Sequence, residues 1–252
     1  MSKMRLAEEA KLWEDLGIMD PLWSILSEPS KRYGKWDLKE FFATGDKEID
    51  ELMRKAEVLH RPLDHVTALD FGCGVGRLTR ALAKHFEKCR GIDISPAMIN
   101  KAEELNSEIR NCQFLLNKEE NLRVFPADHF DMIYTNLVLQ HIVNAEIIKS
   151  YVSEFVRILK TGGLAVFQLP SYISPPGRIQ PRARIYSVLS KAGFDKRILY
   201  ERLRLHPIRM SYVSEKEIIE LLRSQNAEVL DCQRTLWSGP FGGSSNTYFF
   251  TK

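Results

Sequence analysis

The residues whose types and spacing could do chemistry lie between positions 70 and 141. The run Val66-Thr-Ala-Leu-Asp70-Phe-Gly72-Cys-Gly74-Val-Gly76-Arg77 passes from apolar residues, through three alternating glycines, into a helical pattern. Glycine tolerates positive φ and lets the backbone approach a ligand closely. A helix that begins directly after such a turn aims its unbonded N–H groups at whatever occupies it. Gly72, Gly74 and Gly76 are therefore candidate ligand-cradling residues, and Asp70 adds a carboxylate beside them. A plain tight βα turn is the structural alternative. The spacing is G-x-G-x-G, with Arg77 following Gly76, so the dinucleotide fingerprint G-x-G-x-x-G is not met. This disfavours hydride transfer from a nicotinamide. A second carboxylate, Asp93, closes the next apolar run 23 residues after Asp70. It can accept two O–H donors at once. His141 stands five residues beyond Asn136. A histidine with a near-neutral pKa can take a proton from a reacting group, although a packing or positioning role is the plainer reading of it.

These groups need a scaffold, and the flanking pattern supplies one. Short apolar runs at Val66–Phe71, Cys89–Asp93, Gln113–Asn117, Phe130–Asn136 and Leu164–Leu169 alternate with helical patterns at Arg77–Phe86, Pro96–Ile109 and Ala145–Leu159. Strands buried on both faces of a parallel sheet read this way. The alternation predicts an α/β, doubly wound sheet, with ligands held along the carboxyl ends of the strands. A helix over Glu215–Ser224 and strands over 228–235 and 246–251 close the chain, the latter joined by a turn at Gly239-Pro240-Phe241-Gly242-Gly243. Residues 1–60 read as a helical cap in which Leu6, Leu12, Trp13 and Leu16 recur at helical spacing and Gly17 ends the first run. A later helix is expected over 46–59. The remaining residues, 61–252, form the main domain.

Between the fifth strand and the last helix, residues 171–213 carry nine basic residues against Asp195 and Glu201, a net of 9 − 2 = +7 in a chain whose total is +3. This segment reads as a basic helical insertion whose apolar residues could serve a lid or a dimer contact. It could attract an acidic substrate, touch an anionic membrane or nucleic acid, or simply form a solvated helical face. The 252 residues are otherwise ordinary for a globular chain, with 44% hydrophobic and 27% charged. No apolar run is long enough to span a membrane, and the N-terminus lacks the apolar core of a secretory signal. The four cysteines form no metal-binding spacing, so no metal is expected and a reduced, cytoplasmic setting is.

The glycine run resembles the first motif of class I S-adenosylmethionine-dependent methyltransferases, and three further segments follow in that family's order. Gly91-Ile-Asp93-Ile-Ser95-Pro96-Ala-Met98 resembles its second motif. Phe130-Asp131-Met-Ile-Tyr-Thr-Asn136-Leu-Val-Leu-Gln140-His141 resembles the segment after strand four, and Leu159-Lys160-Thr-Gly162-Gly163 the entry to strand five. The resemblance covers about residues 60–170. It implies a Rossmann-like, seven-stranded sheet and S-adenosyl-L-methionine as cofactor, with S-adenosyl-L-homocysteine as product. By the same resemblance Gly72, Gly74 and Gly76 pass along the methionine part, Asp70 lies near its ammonium end, Asp93 binds the ribose, and Ile94 and Met98 flank the adenine. Asn117, Asn121 and Leu122 stand in the loop that reads the adenine edge, where an aspartate is usual in the family. Asn136 and Leu137 open the loop where methyl group and acceptor meet. His141 is the candidate catalytic residue.

Trp36 and Phe42 from the cap, with Arg178 and Arg182 from the insertion, are the candidate acceptor-binding residues. The Asn-Pro-Pro-Tyr type segment of many amino-group methyltransferases is replaced by Thr135-Asn136-Leu137-Val138. The expected reaction is in-line methyl transfer to an oxygen of a small-molecule or glycan-like, acidic acceptor, by a monomer or homodimer. The alternatives are an RNA methyltransferase that uses the basic insertion as its footprint and a non-catalytic, methyltransferase-like partner subunit.

Overall fold

The computed structural model describes residues 2–238 and 242–252. Seven strands form one sheet in the order β3-β2-β1-β4-β5-β7-β6. They are β1 (Thr67–Phe71), β2 (Lys88–Asp93), β3 (Cys112–Leu116), β4 (Phe130–Thr135), β5 (Leu159–Ile173), β6 (Glu228–Trp237) and β7 (Gly243–Thr251). The first five pair in parallel, and β7 runs antiparallel to both of its neighbours. The chain reverses its direction of winding at β1, between β2 and β4. The carboxyl ends of β1 and β4 therefore diverge to leave a crevice. Of the turn expected at 239–243, residues 239–241 lie outside the described residues.

Buried side chains explain why β1 and β4 are central. Every residue of β4 is buried, as are Ala68, Leu69, Asp70 and Phe71 of β1. Asp131 is the charged exception in β4. Its carboxylate accepts from the Thr67 amide at 2.7 Å, the Thr67 hydroxyl at 2.8 Å and Lys160 Nζ at 2.8 Å. Two of the sequence segments singled out above are thus bolted together across three strands, and their polar residues serve the sheet.

Helices cover both faces. On one, α6 (Ala145–Ile158) and α9 (Glu215–Ser224) bury Ile148, Val152, Phe155, Ile218 and Leu222 against Ile133, Phe167 and Phe250. On the other, α3 (Leu38–Val58) and α4 (Arg77–Leu82) pack Ile49, Leu52, Met53, Leu78 and Leu82 on Ala68, Met132 and Val166. Each such side chain contributes about 1.5–3 kcal/mol on burial. Helix α3, grouped by sequence with the cap, is therefore a full member of a sheet-covering layer. It also begins earlier than expected. Asp37 caps it by accepting the Glu40 amide, and Gly45, just outside the expected span, sits inside the helix. A Cβ at Gly45 would lie 2.6 Å from the Arg77 carbonyl oxygen, so the glycine permits close approach to α4.

The same reason overturns the expected helix end at Gly17. Helix α1 (Ser2–Met19) runs through it, and a Cβ there would come within 3.3 Å of Ser95, Ala97 and Met98. The glycine lets α1 cross the start of α5 (Pro96–Leu105), where Glu14 Oε2 accepts from Ser95 Oγ at 2.7 Å and the Ala97 amide at 2.9 Å. A carboxylate at a helix N-terminus is favourable for the helix dipole. The basic insertion folds into α7 (Pro181–Lys191) and α8 (Lys196–Glu201) and docks on the cap. The Arg32 guanidinium lies against the rings of Trp23, Tyr33 and Tyr200, and Asp20, next to α2 (Pro21–Ile25), accepts from the Tyr200 hydroxyl. Lys196 pairs with Asp15 at 2.6 Å.

Candidate active site

The crevice at the carboxyl ends of β1, β2 and β4 is roofed by α1 and α2. Its floor is the glycine turn. Gly72 and Gly74 have φ of 75° and 52°, and the amides of Gly72 and Cys73 both donate to the Ile92 carbonyl. A Cβ at Gly72 would sit 2.4 Å from Val138, and one at Gly74 2.5 Å from Ile25. The turn is therefore closed in by the loop after β4 on one side and the cap on the other. Gly76 stands apart from the lining. It caps α4, and a Cβ there would meet Asn106 and Phe114, so it serves packing of the helix on the sheet.

Asp93 lines the crevice at the end of β2. Its Oδ2 accepts the Gly74 amide and its Oδ1 the Ser95 amide, both at 2.9 Å. An ionised carboxylate offers about four lone-pair sites, so about two are left for ligand donors. Burial raises its pKa; the Ser95 and Gly74 amides pull it back, and Glu14 adds a smaller upward push. Ile94, Met98 and Asn117 continue the lining. The Asn117 amide is spent on the loop itself, donating to the Asn121 carbonyl at 2.9 Å. Asn121 and Leu122 do not face the crevice. Leu122 is buried in the core, with its amide held by Glu154 and its carbonyl by Arg157.

Asp70 also lies behind the lining. It is 1% exposed and accepts the Thr79 hydroxyl at 2.6 Å. Burial pushes its carboxyl up to about 7, against the pull of Thr79 and the Arg77 charge. Arg77 does line the crevice. It is 3% exposed and pairs with Glu48 of α3 at 2.8 Å. Glu48 also accepts from the Tyr134 hydroxyl at 2.9 Å and from Asn136 Nδ2 at 2.8 Å. One carboxylate thus holds three residues brought from β1–α4, β4 and the loop after β4. The Nε of Arg77 is buried and has no hydrogen-bond partner among the described residues.

The loop after β4 supplies the other end. Leu137 lines the crevice in a left-handed conformation, φ 62°, a strained state for a leucine that typically costs of order 1–3 kcal/mol. Beyond it, Val138, His141 and Ile142 complete the wall. His141 Nδ1 lies 2.8 Å from the Arg209 carbonyl, so Nδ1 carries the hydrogen, and Nε2 receives the Gln140 amide at 3.1 Å. Burial lowers its pKa to about 4, only partly offset by the Arg209 carbonyl, and the imidazole is neutral at physiological pH. Trp13 of α1 packs edge-on against it at 5.3 Å, and Glu9 accepts the Val143 amide at 2.8 Å.

Among the expected acceptor-binding residues, none of the four lines this crevice. Trp36 packs edge-on to Phe41 and donates to the Leu26 carbonyl. Phe42 lies under the Arg80 guanidinium. Arg178 stacks against Tyr172 and Tyr212 and donates to the Ile173 carbonyl, and Arg182 is exposed on α7. Trp13 lines the crevice and Trp36 does not. Its helical spacing was visible, but nothing local distinguished it from the other cap aromatics. Glu9, Glu48, Arg77 and Tyr134 were missed for the same reason, since their partners are distant in sequence.

Beside the glycine turn the Asp93 carboxylate keeps about two acceptor sites free, and the buried Nε of Arg77 lacks an acceptor among the described residues. Residues 69–167 match the model of a methyltransferase domain family. Phosphoethanolamine N-methyltransferase 3 of Arabidopsis thaliana is 28% identical over 108 residues, which is 42% of this chain and 22% of that protein. Trans-aconitate 2-methyltransferase of Azoarcus sp. is 30% identical over 151 residues, 57% of this chain and 54% of that protein. The chain therefore spans about half or less of the length of the relatives it matches. The crystal structure of the N-methyltransferase NodS from Bradyrhizobium japonicum, in complex with S-adenosyl-L-homocysteine, superposes with a TM-score of 0.59 at 16% identity, over 97% of this chain and 98% of that one. Residues 69–167 thus resemble a methyltransferase domain, and the sheet shares its fold with that of NodS.

Proposed function

We propose that the chain is an S-adenosylmethionine-dependent methyltransferase acting on the hydroxyl oxygen of a small molecule. The observation that carries this reading is the half-satisfied Asp93 carboxylate beside the Gly72–Gly74 cradle, in a crevice that continues to Asn136 and His141. Asp93 would hold the ribose, Ile94 and Met98 the adenine, and Arg77 the carboxylate of the methionine tail. When bound, the cofactor supplies an electrophilic methyl group on a sulfonium that leaves as a neutral thioether. The chain's own task is orientation, which can lower a barrier by about 7–11 kcal/mol.

Asn136, fixed through Glu48, and the Trp13–His141 pair define where the acceptor sits. An imidazole at about 4 is too weak to hold a proton at neutral pH. It still takes one from the far more acidic oxonium that develops at the acceptor oxygen, at Nε2 once the Gln140 amide gives up its hydrogen bond there, and passes it to water. The relatives named for phosphoethanolamine and trans-aconitate support a small-molecule acceptor. The walls formed by Trp13, Leu137, Val138 and Ile142 favour an acceptor with an apolar body over the glycan suggested by sequence alone.

The test is calorimetric titration with S-adenosylhomocysteine and, in parallel, adenosine. Asp93→Ala is expected to abolish binding of both. Arg77→Gln is expected to weaken S-adenosylhomocysteine but not adenosine, which lacks the carboxylate. Failure of the unmodified protein to bind either ligand would end the cofactor reading. Equal losses for both ligands in Arg77→Gln would remove Arg77 from its assigned role. Release of S-adenosylhomocysteine on a panel of hydroxylated small molecules then identifies the acceptor.

A further inference from the structure

We infer that the α7–α8 hairpin is a docking surface for an anionic lipid bilayer. The exposed large hydrophobic residues of the chain concentrate on the insertion. Eight of the eighteen among the described residues fall within 171–213: Tyr172, Ile179, Ile185, Val188, Phe194, Ile198, Leu203 and Met210. Helix α7 sorts them from the buried side chains. Ala183 and Tyr186 turn inward at 2% and 5% exposure, whereas Ile185 and Val188 stand outward at 49% and 67%. Residues three apart share a helix face. Arg182 lies on one flank of that outward pair, and Arg184 and Lys191 on the other, all exposed.

The charge is also unspent. Both acidic residues of the segment are used within it: Asp195 caps α8, and Glu201 pairs with Arg197 at 2.8 Å. Lys196 is taken by Asp15. Arg182, Arg184, Lys191, Arg202 and Arg204 have no ion pair among the described residues. An apolar ridge between rows of basic side chains is the arrangement of helices that lie in a membrane interface, with the ridge at the acyl boundary and the cations at anionic headgroups.

Two other occupants fit less well. A second copy of the chain meeting this face about a two-fold axis would bring arginine rows together, since such contacts use the same patch twice. Single-stranded RNA is held by stacking on aromatic side chains, whereas the protruding residues here are mostly aliphatic. No described helix is long and apolar enough to cross a membrane, so the contact is interfacial. It also reaches the crevice. The strand of chain leaving α8 places the Arg209 carbonyl on His141 and Ser211 on Gln140 and Ile142.

Flotation with lipid vesicles tests the inference independently of the methyl-transfer reading. The whole chain is expected to float with phosphatidylcholine vesicles containing one-third phosphatidylglycerol, to stay behind with phosphatidylcholine alone, and to be released by high salt. Arg182→Glu with Arg184→Glu is expected to weaken the partition about tenfold or more. Ile185→Ser with Val188→Ser weakens it without altering its salt response. All four positions face solvent, so melting temperatures should hold; Phe194→Ser with Leu203→Ser replaces any pair that melts early. Absence of flotation, or flotation unmoved by both pairs, overturns the inference. So does a dimer in light scattering that Ile185→Ser with Val188→Ser dissolves, or preference for an oligoribonucleotide over the anionic vesicles.

Discussion

Removal of Glu48 tests the reasoning that a single carboxylate assembles the acceptor end of the site. Its Oε2 faces Arg77 at 2.8 Å, and its Oε1 takes the Tyr134 hydroxyl at 2.9 Å and the Asn136 amide at 2.8 Å. Glu48→Ala strands a guanidinium that is 3% exposed. Breaking a buried pair from one side typically costs about 3–5 kcal/mol, because the remaining charge is uncompensated. Tyr134 is buried and loses its acceptor too, while Asn136 is half-buried and recovers one from water. The net expectation is about 3–5 kcal/mol, or roughly 10 °C in melting temperature for a chain of this size. Replacing both members, Glu48→Met with Arg77→Met, removes the stranded charge and should recover most of the loss.

Urea unfolding of the unmodified protein, Glu48→Met, Arg77→Met and the double variant closes the cycle, with an expected coupling of about 3 kcal/mol or more. Glu48→Ala should also loosen S-adenosylhomocysteine under conditions where the variant is folded, since Arg77 and Asn136 both line the crevice. A loss below about 1 kcal/mol, or single-variant effects that simply add, would mean that the three contacts carry no shared energy. The account of Asn136 would fall with them.

Two buried titrations act in opposite directions. Asp70, raised to about 7, contributes stability that is complete at low pH and is lost as pH rises from about 4 to 7. Asp70→Asn should therefore gain on the unmodified protein across that window, by up to about 1.4 kcal/mol per pH unit, in denaturant midpoints measured at several pH values. His141, lowered to about 4, contributes stability that is complete above about 6.5 and is lost as pH falls toward 4, so His141→Gln should lose its disadvantage on acidification. In turnover, the same depressed pKa means that kcat should show no His141-linked inflection between pH 5.5 and 8, an expectation checked by comparing pH–rate profiles of the unmodified protein and His141→Gln. Trp13→Phe should abolish most of the tryptophan fluorescence change on ligand binding, because Trp13 alone among the tryptophans lines the crevice.

What could be read from the sequence followed the range of the signals. Strand β1, the glycine turn and Asp93 are encoded within a few neighbouring residues: an apolar run, a conformation only glycine takes easily, and a carboxylate at a strand end. Such features need no knowledge of distant partners, and in the structure the Gly74 amide donates to Asp93, while Gly76 caps α4. Gly17 and Gly45 carry the opposite lesson. Gly17 reads locally as a helix break and Gly45 falls just outside the expected helix, yet both lie inside helices that pass close to a neighbour: a Cβ would make a tight 3.3 Å contact with Ala97 at Gly17 and would lie 2.6 Å from the Arg77 carbonyl at Gly45. The cost of a helical glycine, about 1 kcal/mol, is offset by contacts that a sequence window cannot contain.

The functional side chains divide in the same way. Glu48 gains its meaning from residues 86 and 88 positions away, and Glu14 from residues 81 and 83 away. Trp13 lines the crevice and Trp36 does not, a difference that the aromatic density of the cap cannot signal because it does not say which ring turns inward. The basic insertion shows the limit from the other side. Its charge was plain in the composition, but a net of +7 suits a pocket, a bilayer or RNA alike until the helix faces are known. Once Ala183 and Tyr186 are seen to turn in, the aliphatic pair Ile185 and Val188 must face out between arginines. A surface that exposes branched aliphatic side chains among unpaired cations bears a hydration cost that a purely electrostatic partner does not relieve, and a lipid interface relieves both terms at once.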